Sequence, residues 1–403
     1  MIVELASADD AERVIDRLRA APAILPFTPE ATAFVAELGA ALLADPRARV
    51  HPELMSLGFF VRKAELAALA RDVAAITPRD TVRVPQGLVF HVPPANVDTI
   101  FAYSWLTALV AGNRNVVRLS SRASPVVAIV VEHVARLLAE PRFAVIAAGN
   151  ALVRYGHDLA ITRALSAACD LRVVWGGDAS VGAIREAALA PHARDLTFPD
   201  RFSFAALRAA AVLALDDAAL GALGDALAND IFWFDQAACS SPRLIIWVGE
   251  GSREAGDRLF PRLAARGAAL AAPEPAHVMA KELYAARAAA DGAAIARRRL
   301  GAELTVLRAD DAARIPRDHP GAGLVWECAV AALQDVAPWV IRRDQTLVHF
   351  GFAADELRAL VASLAGRGVD RLVAPGRALA FHRFWDGHDL AAAFTRLVHV
   401  EAS

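Results

Sequence analysis

The feature that most constrains the fold is an alternation of short apolar runs with helix-length segments, which begins near residue 85. Residues 87–92 (GLVFHV) form an apolar run between a glycine and a Pro-Pro pair, which predicts a buried strand. Residues 99–110 are almost wholly apolar and long enough for a buried helix, and residues 115–119 predict the next strand. Strands joined by helices pair in parallel through right-handed crossovers. The sequence therefore predicts a doubly wound α/β sheet.

The same alternation continues through the first half of the chain. Ser124 and Pro125 begin a helix as its N-cap and its first helical residue. The other expected elements are a helix that starts at Thr28-Pro29 and ends at Asp45, a strand over 143–148, a helix over 158–168, a strand over 171–175 and a helix after the loop 176–181. Doubly wound sheets bind ligands at the carboxyl ends of their strands, so we expect functional loops to follow these strands.

A second α/β domain is predicted after residue 205, because the alternation resumes there with different content. Residues 206–228 predict a helix. The strand candidates are residues 243–248, 304–307, 346–351 and 371–374. We expect a first domain over residues 1–205, a second over 206–385 and a C-terminal segment over 386–403.

Composition excludes several classes of function. The chain of 403 residues has a formal net charge of −2, so it lacks the excess positive charge that nucleic acids and anionic membranes attract. The longest apolar stretches, residues 99–112 and 203–215, are too short or too interrupted to span a bilayer. The acidic N-terminus does not resemble a signal peptide. Three widely spaced cysteines indicate a reducing cytoplasm, and neither a disulfide scaffold nor a metal site.

Cys239 lies in a turn-like Cys-Ser-Ser-Pro segment that leads directly into an apolar strand. A thiol on such a loop can face a cleft, but a free cysteine is more often a small buried hydrophobic residue. Taken alone, the segment favours the second interpretation. The same interpretation applies to Cys169, at a helix end, and to Cys328, in an apolar run.

Three loops at predicted strand ends carry polar groups. Asn96 follows a strand and is either an oxyanion donor or the N-cap of the next helix. Residues 112–122 end a strand with two arginines and two serines, which suit either a bound phosphate or a solvated loop. Residues 175–182 (WGGDASVG) form a glycine turn before a helix, where backbone N–H groups can hold a phosphate.

Taken in order, these motifs resemble the aldehyde dehydrogenase superfamily. A glycine-led strand leads into a Pro-Ala-Asn segment that ends at Asn96, and a Gly-Asn pair precedes the strand that ends at Arg118. A glycine turn over residues 177–182 and a Gln-x-x-Cys segment that ends at Cys239 follow. Within the superfamily, the segments VPPANV, LVAGNRNVVRLSS, VVWGGD, DQAACSSP and RFWDG are similar to those of LuxC-like acyl-CoA reductases.

The resemblance implies a doubly wound parallel-sheet cofactor domain and a second α/β catalytic domain that carries Cys239 as the nucleophile. It also implies that the Asn96 amide holds the oxyanion. The implied cofactor is NADPH, since Ser121 stands where many NAD-dependent relatives have a carboxylate. The implied cofactor-binding residues are Arg118, Ser120, Ser121, Arg122, Gly177, Asp178, Val181, Gly182 and Glu327.

One departure from the superfamily pattern bears on the reaction. Aldehyde dehydrogenases carry a glutamate that activates water, whereas residues 194–203 hold Thr197 or a neighbour at that place. The missing base favours reduction of an acyl thioester, from acyl-CoA or an acyl-protein, over oxidation of an aldehyde. The alternatives are an NAD(P)-dependent aldehyde dehydrogenase that forms acids and a non-reducing acyl-transfer partner. The resemblance further implies a homo-oligomer, with an acyl-activating synthetase or an acyl carrier protein as candidate partners.

Overall fold

The computed structural model describes residues 2–94, 96–270 and 274–401, and the chain divides into two compact units. Met1–Pro199 and Phe381–Ser403 form the first unit, and Asp200–Ala380 forms the second. The C-terminal segment therefore belongs to the same unit as the N-terminal half of the chain.

A parallel sheet forms the centre of the first unit. The strands in this part of the chain are β1 (Ile2–Glu4), β2 (Thr81–Pro85), β3 (Leu88–Val92), β4 (Arg114–Arg118), β5 (Asn150–Arg154), β6 (Leu171–Trp175) and β7 (Arg194–Phe198). All but β2 form a six-stranded sheet in the order β1-β5-β4-β3-β6-β7, and every pair in it is parallel. Strands β3 and β6 are buried along their whole length, which explains their continuous apolar sequences.

Helices cover this sheet, and three of them begin where the sequence predicts, at Thr28-Pro29, at Ser124 and at Asp158. They are α1 (Ala8–Ala20), α2 (Pro29–Ala44), α3 (Pro52–Phe60), α4 (Lys63–Ala75), α5 (Ile100–Val110), α6 (Pro125–Leu138), α7 (Ala144–Gly149), α8 (Leu159–Ala168) and α9 (Asp178–Arg185). The Ser124 hydroxyl caps α6 and the Asp158 carboxylate caps α8, because each accepts hydrogen bonds from backbone N–H groups of the first turn. The predicted doubly wound α/β architecture is thus confirmed.

The strand predicted over residues 143–148 is wrong. The chain forms a short 3-10 turn at Pro141–Phe143 and then helix α7, and the strand follows as β5. Phe143 and Ile146 are both 1% exposed, and their spacing of three residues places them on one helical face. The apolar run therefore has a helical period, which a short window does not distinguish from that of a buried strand.

The second unit is built on a larger sheet. Its strands are β8 (Phe202–Arg208), β9 (Pro242–Val248), β10 (Ala296–Leu300), β11 (Leu304–Arg308), β12 (Leu324–Val330), β13 (Asp344–Phe350) and β14 (Arg371–Val373). They form a seven-stranded sheet in the order β10-β11-β12-β9-β8-β13-β14. The edge strand β10 is antiparallel to β11, and the other pairs are parallel.

The helices of the second unit are α10 (Ala209–Leu213), α11 (Asp217–Phe232), α12 (Ser252–Leu270), α13 (Pro275–Ala290) and α14 (Ala354–Leu364). Two apolar cores lie against this sheet. One of them contains Phe204, Leu244 and Leu347, and the other contains Leu207 and Ile245.

The helix predicted over residues 206–228 is wrong in its first part. Residues up to Arg208 belong to strand β8, and the long helix α11 begins only at Asp217, after the Asp216 N-cap. Phe202, Phe204 and Ala206 belong to one apolar core, and Ala205 and Leu207 belong to the other. Successive side chains of the strand therefore point alternately into the two cores. Because both cores are apolar, the sequence does not show the two-residue period of a strand.

The chain ends with β15 (Phe384–Trp385), β16 (His388–Asp389), α15 (Leu390–Ala393) and β17 (Thr395–His399). Strand β17 pairs antiparallel with β2. Further 3-10 turns lie at Ala48–Val50, Trp233–Gln236, Ala312–Arg314 and Leu333–Trp339. Within the described ranges, none of the helices combines the length and the apolar character that a membrane crossing requires.

A buried polar chain crosses the sheet of the first unit. The Trp175 indole donates to the Ser104 hydroxyl (3.2 Å), which lies 2.8 Å from His91 Nδ1, and His91 Nε2 lies 3.0 Å from Asn115 Oδ1. Because the Asn115 amide group donates to Asn150 Oδ1 (2.8 Å), Asn115 Oδ1 is the acceptor and His91 Nε2 carries the proton. Burial lowers the pKa of His91 to about 4, so its ring is neutral.

Candidate active site

The strand order of the first sheet defines a crevice. The chain proceeds from β3 through β4 to β5 in one direction and then places β6 and β7 on the other side of β3. The direction therefore reverses between β3 and β6. In sheets of this type, ligands bind outside the carboxyl ends of the strands at such a reversal. The loops after Val92 and Trp175 lie at this position.

Asn96 lies in the loop after β3 and is exposed. Helix α5 begins at Ile100 and its N-cap is Thr99, so Asn96 is not the cap of that helix. Its neighbour Ala95, part of the Pro-Ala-Asn segment, lies outside the described residues. The alternative that Asn96 is the N-cap of α5 is therefore wrong.

The loop predicted over residues 176–181 is wrong in its extent, because helix α9 begins at Asp178, directly after Gly176 and Gly177. Gly177 is the N-cap of this helix and offers no side chain to its first backbone N–H groups. Val181 is 6% exposed and packs in the core of the unit, which fixes the helix start. A Cβ atom added at Gly182 would meet no heavy atom within 4 Å, so open space lies beside that residue. Asp178 is the first helical residue. The arrangement fits an anionic group at the helix start.

Arg118 ends strand β4, next to β3 in the sheet. Its guanidinium donates to the Gly156 carbonyl (3.0 Å) and lies 4.6 Å from the centroid of the Tyr155 ring. Both partners are uncharged, and Arg118 forms no ion pair with any residue that the structure describes. Its positive charge is therefore held in place without being neutralised.

Arg122 is held differently from Arg118. Its guanidinium forms an ion pair with Asp98 (3.0 Å), which also accepts a hydrogen bond from the Ser124 hydroxyl (2.6 Å). The Ser120 hydroxyl accepts from the Arg122 backbone N–H (3.1 Å), which closes the turn that contains Ser121. The structure thus brings the loops after β3 and β4 together through Asp98.

In the second unit, Cys239 follows a strained turn. Phe234, Asp235 and Gln236 have φ angles of 56°, 51° and 62°. These angles lie in the left-handed region of backbone conformation, which residues other than glycine rarely adopt. Each such residue costs on the order of 1–3 kcal/mol, and strain of this kind concentrates at functional sites. The backbone that leads to Cys239 is therefore held in an unfavourable conformation by its surroundings.

The side chain of Gln236 holds this turn. It is fully buried, its Nε2 donates to the Pro242 carbonyl (2.7 Å), and its Oε1 accepts from the Gly323 N–H (3.1 Å). The Ala322 N–H also donates to the Asp235 carbonyl (2.7 Å). Gln236 therefore ties the start of β9 to the loop before β12, across the base of the Cys239 turn. The Gln-x-x-Cys segment was visible in the sequence, but its clamping contacts were not.

Cys239 itself is partly exposed, whereas Cys169 and Cys328 are buried. Burial raises the pKa of both buried thiols to about 12, so they stay protonated and unreactive at neutral pH. The Cys239 carbonyl accepts a hydrogen bond from the Ser203 hydroxyl (2.7 Å), and the Cys239 Sγ accepts one from Gln345 Nε2 (3.4 Å). Sequence reasoning missed Ser203 and Gln345, since nothing near Cys239 in the sequence points to them.

Glu327 lies in strand β12 and is held by the sheet. Its carboxylate accepts a hydrogen bond from the Trp247 indole (3.0 Å) and lies 3.8 Å from the Arg308 guanidinium. Thr197, which itself or through a neighbour is expected at the place of the superfamily glutamate, lies in β7 of the first unit. In the described part of the chain, His, Cys, Asp and Glu side chains form no group of three or more that could hold a metal ion.

One comparison with known proteins shows the family of this chain, and another shows its fold. A sequence model of the acyl-CoA reductase (LuxC) family matches residues 71–400. No curated protein sequence matches the chain. Among solved structures, aldehyde dehydrogenase 21 from Physcomitrella patens, in complex with succinate, is similar with a TM-score of 0.70 and 14% identity over 98% of this chain and 90% of that chain.

Two further structures show the same likeness. Betaine aldehyde dehydrogenase from Staphylococcus aureus has a TM-score of 0.69 and 15% identity over 98% of this chain and 88% of that chain. A variant of indole-3-acetaldehyde dehydrogenase from P. syringae, in complex with NAD+, has a TM-score of 0.66 and 16% identity over 97% of this chain and 88% of that chain. The likeness establishes an aldehyde-dehydrogenase-like fold.

Proposed function

Because the chain belongs to the LuxC acyl-CoA reductase family, we propose that it reduces an acyl thioester to an aldehyde, with NADPH as the hydride donor and Cys239 as the covalent carrier of the acyl group. Membership makes the chain an oxidoreductase that acts on aldehyde or acyl groups. The observation that carries the finer proposal is the Cys239 turn, in which a strained backbone presents the one thiol of three that is not buried.

In the proposed reaction, the Cys239 thiolate attacks the carbonyl carbon of the thioester and a new C–S bond forms. The bond to the leaving thiol breaks, that thiol takes up a proton, and the acyl group stays on Cys239. A bound nicotinamide nucleotide supplies the hydride that reduces this acyl group. The thiohemiacetal on Cys239 then releases the aldehyde, and the thiolate is restored because it is a good leaving group.

The proposed oxyanion donors are the Asn96 amide and the Cys239 backbone N–H. A donor aimed at the developing negative charge is useful only if its hydrogens are not committed to the fold. Asn96 is exposed and is not the N-cap of α5, which supports its assignment to this role.

The first unit fits a dinucleotide at the β3–β6 reversal. The uncapped start of α9 and the open space beside Gly182 suit a phosphate. The proposed binding residues are Gly177 at the N-cap and Asp178, Val181 and Gly182 within the helix. The NAD+ complex of the similar P. syringae enzyme supports a nicotinamide nucleotide. Glu327 is proposed to bind the same cofactor, with its carboxylate oriented by Trp247 and Arg308.

Preference for NADPH is proposed on the charges of the loop after β4. Arg118 forms no ion pair among the described residues and can meet a phosphate bidentately, and Ser120 and Ser121 add hydroxyl groups. The nearby carboxylate of Asp98 is paired with Arg122, which reduces its repulsion of an anion. Arg122 is therefore proposed to act partly by neutralising Asp98.

The sequence around Thr197 supports reduction over hydrolysis. Residues 194–203 contain no glutamate that could take a proton from water, and acyl exchange between thiols needs no such base. The proposed substrates are acyl-CoA or an acyl-protein, and the proposed partners are an acyl-activating synthetase or an acyl carrier protein. We further propose a homo-oligomer.

Product analysis tests this function. Purified protein is incubated with a panel of acyl-CoAs and either NADPH or NADH, and aldehyde, free acid and free CoA are quantified. The proposal expects aldehyde and free CoA in equal amounts, with NADPH preferred. A parallel reaction supplies an aldehyde with NADP+ or NAD+ and no CoA, and free acid as its main product would instead identify an aldehyde dehydrogenase. In the acyl-CoA reaction, CoA release without nucleotide oxidation would identify a non-reducing acyl transferase.

Three matched variants separate the thiols. Cys239→Ala is expected to abolish aldehyde formation while it leaves NADPH binding unchanged, because no acyl-enzyme can form. Cys169→Ala and Cys328→Ala are the controls and should keep the activity, since both thiols are buried away from solvent. Aldehyde formation by Cys239→Ala near the wild-type rate would overturn the assignment.

A further inference from the structure

The strand that carries Gln345 is irregular next to Cys239. Strand β13 pairs with β8 through Asp344 opposite Phe202 and Leu347 opposite Phe204. Two residues of β13, Gln345 and Thr346, therefore stand opposite the single residue Ser203. Such a bulge leaves one residue out of the ladder and re-aims its side chain, and bulges are frequent beside active sites.

The neighbouring strand on the other side of β8 is irregular at the same level. Ser203 pairs with Pro242 and Ala205 pairs with Ile245, so β9 also has one extra residue, within Arg243 and Leu244. Cys239 lies three residues before Pro242. Both irregularities therefore occur beside Ser203, whose hydroxyl donates to the Cys239 carbonyl.

The contacts of Gln345 fix the direction of its amide. The side chain is fully buried, and its Oε1 accepts a hydrogen bond from the Thr346 hydroxyl (3.1 Å). Its Nε2 donates to the Cys239 Sγ (3.4 Å). The Ser203 hydroxyl donates to the Cys239 carbonyl and accepts from the Thr346 N–H (3.2 Å). Ser203 therefore links the backbone of Cys239 to the backbone of the residue that follows Gln345.

We propose that Gln345 is a positioning residue that stabilises the thiolate form of Cys239 through the hydrogen bond from its Nε2. This inference rests on the proposed function, in which Cys239 is the nucleophile. A hydrogen bond to the charged form of an acid favours that form, and burial of the donor strengthens the bond. Gln345 transfers no proton and forms no covalent bond, because a neutral amide is neither an acid nor a base at neutral pH.

One charged group also acts on the same sulfur. Burial lowers the pKa of the Arg243 guanidinium, and the thiolate form of Cys239 raises it, so the guanidinium attracts that thiolate. The Asp200 carboxylate also raises the pKa of Arg243, and the Arg343 guanidinium lowers it. Arg243 contributes a charge to the site, whereas Gln345 contributes a directed donor. The test therefore changes Gln345 and keeps Arg243.

The test measures the pKa of the Cys239 thiol without substrate. The rate of alkylation by iodoacetamide is followed against pH for the wild-type protein and for Gln345→Met, which has a similar volume and no donor; Cys239→Ala gives the background. At a pH below the thiol pKa of both proteins, Gln345→Met should react roughly tenfold more slowly, as expected for the loss of one hydrogen bond to a charged group. At high pH, where both thiols are ionised, the rates should converge.

Reductase activity should follow the same profile, with kcat reduced at neutral pH and recovered at alkaline pH. Gln86→Met is the matched control, because Gln86 donates its amide to the Ala393 and Thr395 carbonyls in the first unit and should leave the Cys239 titration unchanged. An unchanged alkylation midpoint in Gln345→Met, with or without loss of activity, would overturn the inference and leave Gln345 as a structural residue.

A second variant covers the case in which Gln345→Met does not fold. Thr346→Val removes the hydroxyl that orients Oε1 and keeps the amide, so the alkylation midpoint should rise by a smaller amount. A midpoint equal to that of the wild-type protein would contradict the inference. Failure of the proposed function is distinguishable, because it would appear as aldehyde formation by Cys239→Ala and would not alter the alkylation titrations.

Discussion

Acid should weaken the first unit through His91. The ordinary pKa of a histidine is 6.5, and burial lowers the pKa of His91 to about 4 in the folded chain. The unfolded chain therefore binds a proton at a higher pH than the folded chain. The contribution of the neutral ring to the free energy of unfolding is fully present above about pH 6.5 and is lost as the pH falls toward 4. At about 1.4 kcal/mol for each tenfold difference in proton affinity, the loss is about 3 kcal/mol.

The assay compares urea unfolding of the wild-type protein and His91→Gln between about pH 7 and 4.5. Glutamine keeps one donor for Asn115 and one acceptor for Ser104 but does not titrate, so the variant should lose less stability on acidification. His192→Gln is the matched control, since this histidine is 72% exposed in the same unit.

The difference between variants is the informative quantity. Burial raises the pKa of Asp230, in the second unit, to about 7, so its contribution to stability has the opposite sign: it is present below about pH 4 and is lost as the pH rises. The wild-type protein and His91→Gln both contain Asp230, so its contribution cancels when their free energies of unfolding are subtracted. Parallel stability profiles for the wild-type protein and His91→Gln would refute the assignment of a neutral, acid-sensitive ring at this position.

Three further outcomes are expected. Asn96→Ala should lower kcat by roughly 10²–10³-fold at an unchanged melting temperature, whereas a purely structural asparagine would lower the melting temperature and spare kcat. Arg118→Ala should raise the KM for NADPH by roughly ten- to a hundredfold with little change in the KM for NADH, and equal impairment with both nucleotides would exclude a phosphate contact. Arg122→Ala should raise the KM for NADPH less, because Arg122 is paired with Asp98. Asp235→Gly should raise the free energy of unfolding, measured with urea, by about 1 kcal/mol, because glycine adopts φ 51° without strain. A lower free energy of unfolding would show that the Asp235 side chain stabilises the fold by more than its backbone strain costs.

The first unit could be predicted from the sequence largely because its elements carry local signals. Strands β3 and β6 are short apolar runs next to glycine or proline, and helices α6 and α8 begin at capping residues. The two wrong elements have no such signals. The run around Ile146 and most of strand β8 consist of apolar residues whichever face they lie on, so only tertiary packing decides between helix and strand.

The residues of the candidate site likewise divide into those that a local motif predicts and those that only tertiary contacts reveal. Cys239 and Asn96 could be proposed because each stands in a short motif with fixed spacing. Gln345 could not, because it is 106 positions away from Cys239 in the chain and meets the sulfur through a bulge in β13. The Asp98–Arg122 pair likewise joins two loops that are 24 positions apart. Contacts made by parallel strand pairing and by irregular register leave no local pattern in the sequence.

The groups around Cys239 bear on the choice between acyl exchange and hydrolysis. Hydrolysis of an acyl-enzyme needs a base that takes a proton from water. Ser203 and Gln345 are neutral donors and Arg243 is a cation, so none of these three is a base at neutral pH. Gln345 donates to the sulfur and Arg243 brings a positive charge near it, so these two can stabilise a thiolate, whereas Ser203 holds the Cys239 carbonyl. A stabilised thiolate serves both the attack on a thioester and the departure of the aldehyde product. A thiol held in this way, in a chain whose residues 194–203 contain no glutamate, suits the proposed enzyme, which passes its acyl group to hydride and not to water.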